Sequence, residues 1–162
     1  MYGLGLTIII IFVSLHYQLK QKIMTKQLMI GGQALRKLGS NRSTIDTDYL
    51  INDTSSELAF LHDIDRNIDY CNANGNKFFS EIWKMENNNN GEIASPQALL
   101  ELKAYSFVQH CLNGFWKKAD EAEYDIKFLV REFNLSKLFI ANKYMSAGEL
   151  SEVEKIIKSV KK

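Results

Sequence analysis

Apolar and polar positions change rhythm several times along the chain, and each change predicts an element. The opening run GLGLTIIIIFVSL is apolar throughout, after which SLHYQLKQKIM sets Leu15, Leu19 and Ile23 at helical spacing with Gln18, Lys20, Gln21 and Lys22 elsewhere. This predicts an N-terminal apolar helix over 1–24 that packs one side on a core. The apolar run is 13 residues long, short of the roughly 20 that a membrane-spanning helix needs. It also lacks the basic flank and small-residue cleavage site of a signal peptide. No stable membrane association is therefore expected; tethering through residues 3–17 and a start at Met24 are the competing readings.

Next, KQLMI predicts a short buried strand running into Gly31 and Gly32, and QALRKL a turn or two of helix, with Gly39 in the position that follows a helix C-cap. STIDTDYLI alternates as a strand does, and SELAFLH and NIDYCNA predict two more strands joined by the polar turn DIDR. KFFSEIWKM fits either a strand or a helix, and the asparagine run 87–91 is a loop. Beyond it the pattern is helical. Ser95-Pro96 is an N-cap and first-turn proline before QALLELKAYSFVQHCL, and Asn113-Gly114 ends that helix. KKADEAEYDIKFLVREF predicts a second helix, acidic early and basic late, as suits the helix dipole. LSKLFIANKYM and AGELSEVEKIIKSVKK predict one or two more. The fold class expected is α+β or α/β. It consists of a small mixed sheet with flanking helices, arranged as a single domain with a sheet region over 25–94 and a helical part over 95–162.

Composition narrows the function without naming it. The chain has 162 residues, 46% apolar and 24% charged, enough for one sizeable core. A net charge of +1 offers no concentrated basic face for non-specific nucleic-acid binding. Cys71 and Cys111 form no CxxC pattern, which points away from disulfides and zinc and toward a reducing, cytoplasmic location. His16, His62 and His110 are scattered and read as surface or half-buried residues.

The stretch GGQALRKLGSNRSTIDTDYLI carries the chemistry. It has no GK[ST] of a P-loop, and Leu50 and Ile51 stand where an EF-hand needs a ligand and a glycine. Upstream, Ile8 replaces the third glycine of a dinucleotide fingerprint. On a strand, Asp46 and Asp48 project to the same side about 6.6 Å apart along the chain. Two such carboxylates repel unless a divalent cation such as Mg²⁺ lies between them. A strand-Gly-Gly-helix junction presents backbone N–H groups to an anion, and a Cβ there would keep phosphates away. The alternative is a turn glycine pair beside two solvated aspartates.

Gly31, Gly32, Ala34, Leu35, Gly39, Arg42, Thr44, Asp46, Asp48 and Leu50 together resemble the signature of the polymerase-β-like nucleotidyltransferase superfamily, and within it the minimal, AbiEii-like members. The likeness extends more loosely through SPQALLELKAYSFVQH, with Lys103, and through KKADEAEYDIKFL, where the spacing of Lys118 and Asp120 departs from the family's form. The resemblance implies a nucleotidyltransferase fold and Mg²⁺-dependent transfer of a nucleoside monophosphate from an NTP to an acceptor hydroxyl, with pyrophosphate released. It further implies that Gly31 and Gly32 hold the triphosphate, with Ser40, Arg42 and Lys103 as further nucleotide contacts. Asp46 and Asp48 would bind metal, with room for a second ion; Arg42 paired with Asp46 or Asp48 is the alternative to phosphate contact.

The resemblance also implies a third carboxylate that binds the second metal and helps deprotonate the acceptor; the candidates are Asp63, Asp65 and Asp69, of which Asp69 is expected. The first two sit in a turn, whereas burial of Ile68 and Tyr70 would send Asp69 to the other face of its strand, toward Asp46 and Asp48. The acceptor, whether a small molecule, a tRNA end or a protein, is open. A weakly active component of a toxin–antitoxin or abortive-infection pair, working through a partner protein encoded nearby, is the rival expectation.

Overall fold

The computed structural model describes residues 26–160, so the helix expected over 1–24 lies outside the described residues. Four strands come early: β1 (Leu28–Ile30), β2 (Thr47–Ile51), β3 (Phe60–Asp63) and β4 (Ile68–Asn72). Between β1 and β2 lies α1 (Gly31–Lys37), and the strands are followed by α2 (Lys77–Met85), α3 (Pro96–Leu112), α4 (Trp116–Phe133) and α5 (Ala147–Ser159). The sheet order is β1-β2-β4-β3, with β2 and β4 parallel and both outer pairs antiparallel. The architecture is thus α+β with a small mixed sheet, as the patterning indicates.

Register sorts the side chains into faces. Leu28, Leu50, Cys71 and Phe60 form one cross-strand row, and Ile30, Asp48, Asp69 and His62 the next row on the same face. Leu28, Ile30 and Leu50 bury against the helices in a core with Phe78, Ile82, Leu99, Leu100, Ile126 and Leu129. The apolar half of that face builds the core, and its charged half opens onto a cavity.

Local chemistry settles the ambiguous segments. KFFSEIWKM is helical because the Asn76 side chain accepts from the N–H groups of Phe78 and Phe79 and because Phe78, Phe79 and Ile82 then share one buried side. Ser95 caps α3 by accepting from Ala98 N–H, with Pro96 in the first turn. One expectation needs correction. The first turn of α4 carries no acid, since the helix starts at Trp116 and Lys117 and Lys118 precede its first carboxylate; only Arg131 at the far end suits the dipole. Of the one or two further helices expected, one α-helix forms, α5, and LSKLFIANKYM contributes only a 3₁₀ turn at Ala141–Tyr144. The buried Glu101 carboxylate accepts from the N–H groups of Phe139, Ile140 and Ala141, which holds this backbone in an open course.

Candidate functional site

A cavity of about 410 Å³ lies between the charged half of the sheet face and helices α3 and α4. Asp46, Asp48 and Asp69 all line it. β2 begins at Thr47, so Asp46 stands immediately before the strand rather than within it. Asp69 faces Asp48 directly across the parallel β2–β4 pair. Asp63 and Asp65 take no part; Asp63 receives the Arg66 guanidinium at 2.7 Å and closes the turn.

Burial raises the pKa of Asp48, the charges of Asp69 and Asp46 add to the rise, and Lys103 and Arg42 oppose it. Asp69 is held from its other side, where its Oδ1 lies 2.7 Å from His62 Nδ1. Among the described residues no three His, Cys, Asp or Glu side chains form a ready-made metal cluster. The donor set nevertheless fits a hard divalent cation, since it consists of carboxylate oxygens that repel one another without one.

The opposite wall is cationic and rests on a residue whose importance the motif did not convey. Asp125 on α4 is completely buried. Its Oδ1 accepts from Arg42 Nε at 3.0 Å, and its Oδ2 lies 2.7 Å from Lys103 Nζ. Arg42 also reaches Glu121 at 3.1 Å, so its carboxylate partners are Glu121 and Asp125 rather than Asp46 or Asp48. Lys118 completes this wall with no ion-pair partner among the described residues. Ser40 is buried off the cavity, its Oγ accepting from Arg42 N–H at 3.4 Å, so it steadies the loop and does not face the ligand space.

The glycine pair lines the cavity, but what demands glycine is the protein itself. Gly31 has φ of +67°, and a Cβ there would fall 1.9 Å from Asp48 Oδ2. A Cβ on Gly32 would fall 2.6 Å from an Arg42 guanidinium nitrogen and 2.7 Å from Thr44 Cγ2. The expectation that a side chain at Gly32 would act by displacing phosphate is therefore redirected, because it would first push away the loop that carries Arg42 and Thr44. Gly32→Val should lower folding stability by roughly 1–3 kcal/mol through overpacking. A urea denaturation midpoint equal to that of the native protein would contradict this.

Two of the three histidines sit at the site: His62 beside Asp69, and His110 in the cavity lining on α3. The spacing of Lys103, Ser106 and His110 places them on one side of a helix, a signal that was readable once α3 was recognised. His62 was not readable, because only the hairpin register brings it opposite Asp69. Cys71 also lines the cavity, but burial pushes its thiol up to about 12, which leaves it unreactive.

No protein-family model, curated protein or solved structure matches this chain. The resemblance of residues 27–51 to nucleotidyltransferases therefore rests on the sequence of those residues alone. Among the described residues, no helix is long and apolar enough to cross a membrane.

Proposed function

We propose that this chain is a metal-dependent nucleotidyltransferase that moves a nucleoside monophosphate from an NTP to an acceptor hydroxyl and releases pyrophosphate. One observation carries the reading. Asp69 on β4, Asp48 on β2 and Asp46 just before β2 share a cavity with Arg42, Lys103 and Lys118 and with the Gly31–Gly32 turn. An acidic wall facing a basic wall suits a ligand that combines a polyphosphate with a divalent cation.

Asp46, Asp48 and Asp69 would hold the ion as hard oxygen donors. When bound, such an ion neutralises charge on the transferring phosphoryl group and favours in-line displacement. The chain's own cations act on the phosphates: Lys103 and Arg42 are aimed by the buried Asp125, and Lys118 is available as a further positive charge. Preorganised charge of this kind is worth most where burial limits water screening.

The test is to incubate the protein with each radiolabelled NTP, Mg²⁺ and a cell lysate and to follow label onto acceptors, with NTP binding measured by calorimetry. Transfer by the native protein and its loss in Asp46→Ala, with the fold intact by circular dichroism, is the expected result. Full activity in Asp46→Ala would remove the metal assignment, and failure of the native protein to bind any NTP would remove the function.

A further inference from the structure

Ser106 and His110 occupy successive turns of α3 inside the same cavity, with Ser106 Oγ 3.0 Å from His110 Nε2. Mid-helix serines commonly turn their hydroxyl back onto the carbonyl four residues earlier. Ser106 instead pairs with an imidazole four residues on. A hydroxyl and an imidazole within hydrogen-bond reach are the components of an activated oxygen nucleophile. The imidazole is itself steadied by the Phe115 ring, whose centroid lies 6.4 Å away at 61°.

Position matters as much as pairing. Ser106 follows Lys103 by one helical turn on the same side of α3, and Lys103 is close enough to Asp48 to counter the rise in its pKa. The hydroxyl therefore opens into the space between the acidic wall and the cations, where the phosphates of an NTP would lie.

We propose that the chain nucleotidylates itself at Ser106, with His110 as the proton acceptor. This rests on the nucleotidyl-transfer reading above and names one acceptor for it. Ser106 Oγ attacks the α-phosphorus of the NTP, an Oγ–P bond forms, and the bond from the α-phosphorus to the bridging oxygen of the β-phosphate breaks. Pyrophosphate leaves with that electron pair, and the hydroxyl proton passes to His110 Nε2. No oxidant or further reactant is needed. Burial, with Lys118 and Lys103 nearby, lowers the pKa of His110 against the opposing charge of Glu121; this favours the neutral ring, whose Nε2 accepts a proton in the tautomer that carries hydrogen on Nδ1.

The experiment incubates the full chain with ATP, CTP, GTP or UTP and Mg²⁺, then reads intact mass and maps the modified peptide, alongside calorimetric binding of the same NTP. The expected result is a gain of one nucleoside monophosphate on Ser106, absent from Ser106→Ala and slowed about a hundredfold or more in His110→Gln. If the native protein binds NTP but gains no mass, or gains it at another residue, the Ser106 assignment is overturned while nucleotidyl transfer stands; this is also what a merely structural Ser106–His110 pair predicts. Unslowed modification in His110→Gln overturns the role of His110. If no NTP binds, both this inference and the function beneath it fall.

Discussion

Replacing Asp125 by alanine should destabilise the protein by roughly 3–5 kcal/mol, the cost of leaving the buried Lys103 ammonium without its carboxylate and Arg42 with only the partly exposed Glu121. Asp125 is fully buried, while Lys103 and Arg42 expose only 13% and 17% of their side chains, so neither cation can recover full hydration after its partner is removed. The three residues come from the loop after α1, from α3 and from α4, so the loss also unties the glycine loop from the helical half. The urea midpoint should fall sharply with little change in slope, and NTP affinity should fall with it as Arg42 and Lys103 lose their aim. A loss below about 1 kcal/mol, the scale of an exposed pair, would mean that the triad contributes little. Asp125→Asn separates the terms: it keeps the shape, removes the charge, and should lie between the native protein and the alanine variant.

The second large effect is expected at Asp48, with opposite signs for activity and stability. Asp48→Asn should abolish nucleotidyl transfer, because it removes the carboxylate shared by the rows of β2 and β4. The same change should leave the metal-free protein equally or more stable at neutral pH. Burial raises the pKa of Asp48 above its unfolded value, with Asp69 and Asp46 adding to the effect. The folded state thus binds the proton more tightly than the unfolded state, and stability falls as pH rises from the ordinary carboxylate range through the raised value. Above that window the native protein carries the whole penalty and Asp48→Asn carries none. Thermal melts of the two proteins without Mg²⁺ should converge at acid pH and separate toward neutrality, with the variant higher. A variant that melts lower at neutral pH would show that the ionised carboxylate stabilises the fold. Added Mg²⁺ should raise the native melting temperature and leave the variant nearly unmoved.

Much of the local architecture was legible because it follows from short-range rules. The Ser95-Pro96 start of α3, its stop at Asn113-Gly114, Gly39 after α1 and the β3–β4 hairpin all depend on neighbours a few residues apart. One segment departs from its local pattern for a longer-range reason. LSKLFIANKYM has helical spacing, but Glu101, 38 positions before Phe139, claims its N–H groups. The carboxylates of α4 begin at Asp120, past the first turn, so its early acidic character does not meet the helix dipole.

The site divides along the same line. Gly31, Gly32, Asp46 and Asp48 lie within 18 positions of one another, and their spacing alone marks them as a candidate group. Alternation within a single strand was enough to select Asp69 over Asp63 and Asp65, since neighbours in a strand must face opposite ways. What the glycines accommodate, however, is a matter of three-dimensional approach: Asp48 presses on Gly31, and Arg42 and Thr44 press on Gly32. The partners of Arg42, the burial of Asp125, the contact of His62 with Asp69 and the opening of Ser106 and His110 into the cavity were likewise decided only by tertiary structure. Side-chain period and turn chemistry are properties of adjacent residues, and a sequence displays them directly. Ion pairs such as Arg42 with Asp125, separated by 83 positions, depend on how sheet and helices pack, and packing is what closes that distance to 3.0 Å.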